Sequence, residues 1–116
     1  MRHIESKLQQ ICVRWFRLQY PKLSGVFFAV PNGGYRNKIE GGILKAEGVL
    51  AGVSDLILLT PSSLYHGLCI EMKQGKGTQQ ESQKIFQSNI EANGYKYVIC
   101  RNVEEFINEI RIYLGK

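Results

Sequence analysis

The chain has 116 residues, 44% hydrophobic and 22% charged, enough for one compact core over residues 1–116 and too ordinary a balance for a disordered tail or a fibrous repeat. Fifteen Lys and Arg against ten Asp and Glu leave a formal net charge of +5, the sign that suits an anionic partner such as a phosphate backbone. No apolar run approaches bilayer-spanning length and MRHIESKLQQICVRWF contains no uninterrupted apolar segment, so a soluble, cytoplasmic protein with no membrane partner is expected.

Ile4, Leu8, Ile11, Trp15 and Leu18 recur at helical spacing up to Pro21, which predicts an amphipathic first helix with this stripe inward. Glu5 flanks the stripe, with Leu8, Cys12 and Phe16 following at three, seven and eleven residues, and is expected at the edge of the interior. Val26 to Val30 reads as a strand, and Pro31-Asn32-Gly33-Gly34 as a tight glycine loop. Residues 36–50 mix helix formers with three glycines, which predicts a short or broken helix. Asp55 to Leu59 and Tyr65 to Lys73 read as two strands of a hairpin joined near Pro61.

Thr78 and Glu81 make a T-x-x-E capping box for a helix through Ala92, with Gln79, Gln83, Phe86 and Ile90 on one side. Asn93-Gly94 ends that helix, YKYVIC is a further strand, and Asn102 with Glu105 caps a last helix carrying Val103, Phe106, Ile107, Ile110 and Leu114. Trp15, Phe16, Phe27 and Phe28 are expected in the core, and Cys12, Cys69 and Cys100, odd in number and without zinc-site spacing, as buried free thiols. The order α-β-(α)-β-β-α-β-α predicts an α/β or α+β sandwich, a mixed sheet flanked by helices.

Within IEMK, residues 70–73, alternation puts Glu71 and Lys73 on the same face of a strand. If the hairpin pairs as predicted, Asp55 comes across the ladder from Glu71, and two like charges at that distance are reconciled by a divalent cation such as magnesium. Lys73 then stands where an ammonium orients water or stabilises charge on a phosphate, and Glu5 and Gln83 come from helices covering the sheet. Taken singly the same residues fit simpler roles: a same-face ion pair for Glu71 and Lys73, a turn residue for Asp55, a solvated helix-start charge for Glu5.

GVSD at 52–55 followed by IEMK at 70–73 resembles the PD-(D/E)xK nuclease pattern. With Glu5, VPNGG at 30–34 and Gln83 added, nearly the whole chain resembles the virus-type replication-repair nuclease domain, VRR-NUC. The resemblance implies a restriction-endonuclease-like core and a magnesium- or manganese-dependent phosphodiesterase. Asp55 and Glu71 are similar to the metal ligands, joined by the Met72 backbone carbonyl, and Lys73 to the lysine near the nucleophilic water. Glu5 matches the first-helix acid and Gln83 the helical glutamine, with Gln79, Gln80 and Gln87 as nearby rivals. Ser54 stands where the family usually has proline.

Small stand-alone members of the family resemble dimeric resolvases carried by bacteriophages or prophages. That implies a homodimeric, structure-selective endonuclease acting on branched DNA such as Holliday junctions, with a less selective phage DNA nuclease as the alternative. Asn32, Gly33, Arg36, Lys38 and Lys76 are candidates for contacts to the DNA backbone. A non-catalytic nucleic-acid-binding module of this fold and a small assembly domain are the competing classes. Neither gains from gathering Asp55 and Glu71 on a face that approaches phosphates.

Overall fold

The fold is taken from a computed structural model that describes residues 2–31 and 38–115, with side chains described for residues 5–31 and 40–115. The elements are α1 (Arg2–Gln19), a 3-10 turn (Pro21–Val26), β1 (Phe27–Ala29), α2 (Lys38–Ala46), β2 (Leu56–Leu58), β3 (Leu68–Met72), α3 (Glu81–Ala92), β4 (Lys96–Cys100) and α4 (Val103–Leu114). The predicted glycine loop at 32–34, with Asn32, Gly33 and Arg36, lies outside the described residues, as does the side chain of Lys38.

The four strands form one sheet in the order β1-β2-β3-β4. β1, β2 and β3 are successively antiparallel, whereas β3 and β4 are parallel, because α3 carries the chain back across one face before β4 begins. Helices flanking this mixed sheet make the architecture α+β, as the element order predicts.

Paired residues share a face, so two sets alternate across the sheet. Phe27, Leu56, Leu58, Leu68, Ile70, Met72, Val98 and Cys100 form one face and are buried with Cys12 and Phe16 of α1 and Phe106, Ile110 and Tyr113 of α4. Phe28, Ile57, Cys69 and Tyr97 align on the opposite face, where Phe86 of α3 meets Tyr97 edge-on, ring centroids 6.3 Å apart.

The inward stripe of α1 differs from the predicted one. Ile11 is 54% and Leu18 73% exposed, while Cys12 and Phe16 are fully buried. Apolar side chains cover a wide arc of this helix, so spacing alone leaves its rotation open; the stacking of Phe16 on Phe27, centroids 4.0 Å apart, selects the face. Glu5 lies on that same stripe, seven residues before Cys12. Phe28 also departs from expectation at 41% exposed, since it sits on an edge strand while α3 packs on β4 at the other edge. Cys12, Cys69 and Cys100 are buried free thiols, as predicted.

Candidate active site

The β2–β3 register pairs Leu56 with Ile70, and one step further along it sets Asp55 against Glu71. Asp55 is anchored there by accepting the Met72 N–H at 2.7 Å on Oδ2. The N–H and C=O of one strand residue leave the strand on the same side, so the Met72 carbonyl also emerges on the Asp55 side. Ser54, in the family's proline position, is fully buried and its hydroxyl donates to the Leu56 carbonyl at 3.2 Å. That bond spans Asp55 and holds the backbone around it.

Glu71 is only 3% exposed. Its Oε2 accepts from Gln83 Nε2 at 2.8 Å and has Lys73 Nζ at 3.9 Å; its Oε1 is buried with no hydrogen-bond partner among the described residues. Burial, then the charge of Asp55 and a shared proton with it, push the Glu71 carboxyl up to about 8, against a weaker downward pull from Lys73. Burial likewise raises Asp55, partly offset by the Met72 N–H and by the hydrogen bond from Glu71. Both carboxyls are thus pushed toward the protonated form, because two buried carboxylates side by side are too costly to leave both ionised.

The orientation of Gln83 follows from the start of α3. The capping residue is Gln80, not the predicted Thr78, and the box is built from Gln80 and Gln83. Gln83 Oε1 accepts the Gln80 N–H at 2.8 Å, which turns its NH2 toward Glu71. Gln79 instead donates to Gln87 and Tyr97, and Gln87 to Glu91, so among these four glutamines Gln83 is the one that reaches the carboxyl pair. The helix start comes close because residue 52 is glycine: at φ 86°, a Cβ there would collide with the Ser82 carbonyl.

Glu5 approaches from the other layer. Its Oε2 accepts the Gln74 N–H at 3.4 Å, and its charge adds to the repulsion felt by Asp55 and Glu71. It therefore faces the turn after β3 and not the gap between the two carboxyls. Lys76 is exposed on that turn. Sequence reasoning overlooked Arg101, although alternation from Tyr97 through Ile99 carries it onto the Glu71 face just beyond β4. Its Nη1 donates to the carbonyls of Gly75 at 2.8 Å and Gly77 at 2.7 Å.

Among the described residues no three His, Cys, Asp or Glu side chains gather around one point. The donor set is two carboxylates with an unsatisfied oxygen and a carbonyl on the same side. That is the pattern a hard divalent cation accepts when water and phosphate complete its shell.

A family model of the VRR-NUC domain matches residues 4–104. The chain belongs to the VRR-NUC family. A solved structure described as a VRR-NUC domain protein superposes on it with a TM-score of 0.83 at 28% identity, covering 96% of this chain and 88% of that one. No curated protein matches. As a VRR-NUC domain the chain carries a nuclease-type function with DNA as its partner. No helix among the described residues is long and apolar enough to cross a membrane.

Proposed function

We propose that this VRR-NUC domain is a magnesium- or manganese-dependent endodeoxyribonuclease that hydrolyses phosphodiester bonds, acting on branched DNA as a homodimer. The observation that carries the reading is Glu71, a buried carboxyl set against Asp55 with one oxygen unsatisfied among the described residues. Asp55, Glu71 and the Met72 carbonyl would hold the ion. When bound, it supplies Lewis acidity and positive charge beside the scissile phosphate.

The protein's own residues do the rest. Hydrolysis joins a water oxygen to phosphorus and breaks one ester P–O bond, so a proton must leave the water and negative charge must be accommodated on the phosphate. Lys73, 3.9 Å from Glu71, would orient that water or stabilise that charge. Gln83 fixes the Glu71 carboxyl, and Glu5 braces the neighbouring turn. The apolar side chains Val49, Leu50 and Ile85, more than half exposed, offer a surface for a second copy, which would present two sites to one four-way junction.

The test is cleavage of end-labelled four-way junction, flap and linear duplex DNA in magnesium, manganese or EDTA, with the oligomeric state from sedimentation. Cutting that needs a divalent ion, favours the junction and is lost in Asp55→Asn and Glu71→Gln is expected. Metal-independent cutting, or full activity in those variants, overturns the reading; equal cutting of all substrates removes the branched-DNA part and a monomer removes the dimer.

A further inference from the structure

We propose that Arg101 is a positioning residue for the nuclease reaction: by gripping the turn Gln74–Gly77 it holds Lys73 against Glu71. This rests on the nuclease reading above and adds a residue that neither the acid–lysine pattern nor the family likeness singles out.

The turn after β3 is short and tightly closed. Gly77 N–H donates to the Gln74 carbonyl at 3.0 Å, and Gly75 has φ 57°, a left-handed conformation that glycine adopts without strain. Such a turn exposes its remaining carbonyls outward, where they need donors. The Arg101 guanidinium meets two of them, Gly75 O at 2.8 Å and Gly77 O at 2.7 Å. On the other side Glu5 takes the Gln74 N–H. The turn is thus braced from α1 and from the end of β4.

Lys73 is attached to the same brace. Its N–H donates to the Cys100 carbonyl, the residue before Arg101, at 3.1 Å. Its stem runs past the turn, so near that a Cβ placed at Gly77 would lie 3.8 Å from Lys73 Cδ. The Lys73 backbone is therefore tied to the end of β4, and its side chain, 12% exposed, runs beside the turn that Arg101 closes to bring Nζ 3.9 Å from Glu71 Oε2. Arg101 itself is fixed by its N–H, which donates to Glu105 Oε1 at 2.7 Å. A charged donor shared between two carbonyls is a strong tether.

A competing role is direct contact of Arg101 with a DNA phosphate, and the two roles have different kinetic signatures. Arg101→Ala and Arg101→Lys would be compared with the parent chain, alone and combined with Lys73→Ala, for single-turnover cleavage rate and for DNA affinity at several salt concentrations. Positioning predicts that Arg101→Ala lowers the cleavage rate on the order of 10²-fold with DNA affinity and salt slope unchanged. It also predicts partial recovery in Arg101→Lys and no added loss in the Lys73→Ala background. Weakened DNA binding with a salt slope reduced by about 1, or full additivity with Lys73→Ala, overturns the proposal.

A readout without metal or DNA separates this inference from the nuclease reading. Amide resonances of Gly75, Lys76 and Gly77 should shift and sharpen toward a mobile chain in Arg101→Ala, while α4 resonances stay in place. Unchanged turn resonances overturn the clamp whatever the activity, and a parent chain that never cleaves DNA overturns the nuclease reading with the clamp judged on the resonances.

Discussion

Glu71 stores a conflict that the fold itself cannot relieve. Its carboxyl is pushed up to about 8 from an ordinary 4.5, and Asp55 moves in the same direction. With the folded value above the unfolded one, the native chain binds the proton more tightly. The associated stability is fully present below pH 4.5 and is lost as pH rises through about 8. In EDTA the melting temperature should therefore fall across that window, and magnesium should restore it most at the alkaline end. Glu71→Gln keeps an acceptor for Gln83 and removes the second buried charge beside Asp55. It should flatten the fall and stabilise the metal-free protein at alkaline pH by about 1–2 kcal/mol while abolishing cleavage, a trade of function for stability. Thermal melts of both proteins from acid to alkaline pH decide this, and a flat profile for the parent chain would contradict the raised Glu71 carboxyl.

At the level of elements, α3 ties helix capping to active-site geometry through a single side chain. Gln83→Glu retains an oxygen for the Gln80 N–H but loses the amide donor to Glu71 and adds a further acid there. Helicity by circular dichroism should hold while cleavage drops about 10- to 100-fold; unaltered cleavage would show that the amide contact is dispensable. The hairpin bearing Asp55 and Glu71 was readable in advance, because strict alternation in IEMK and a polar connection near Pro61 are local signals. Gln83 was readable for the same reason, sitting on the helical stripe with Phe86 and Ile90. The rotation of α1 was not, since Ile11, Cys12, Trp15, Phe16 and Leu18 spread around the helix and only the ring of Phe27, from another element, chooses among them. Nor was the cap of α3, where hydroxyl preference points to Thr78 while the close approach to Gly52 sets the actual start. Alternation along β4 gives the face of Arg101 but not its role, because its partners are backbone carbonyls 24 and 26 residues away.

Across the whole molecule the two faces of the sheet are unequally covered. α1 and α4 bury one face around Phe16, Phe27 and Phe106, whereas no residue of α3 is fully enclosed on the other. The carboxyls lie at the end of the sheet between these layers, so the stable half supplies the strand register and the lighter half supplies Gln83. The excess of five positive charges belongs to this scale too. DNA affinity should fall with salt on a logarithmic slope of about −0.9 per neutralised phosphate, and Lys76→Ala should reduce that slope by about 1 without changing sequence preference. A salt-insensitive affinity would mean that the basic surface takes no part in binding.

The three buried thiols turn this unevenness into a clock. Burial pushes Cys12 up to about 11 and Cys100 to about 12, so at neutral pH neither presents an accessible thiolate, and alkylation must wait for the structure to open. Cys69 shares its face with Tyr97, on which Phe86 of α3 packs, while Cys12 and Cys100 lie within the core with residues of the sheet, α1 and α4. Labelling at Cys69 records how often α3 lifts away, and labelling at the other two records how often the entire core comes apart. The ratio of those two rates measures how far the layer bearing Gln83 is energetically decoupled from the rest of the domain.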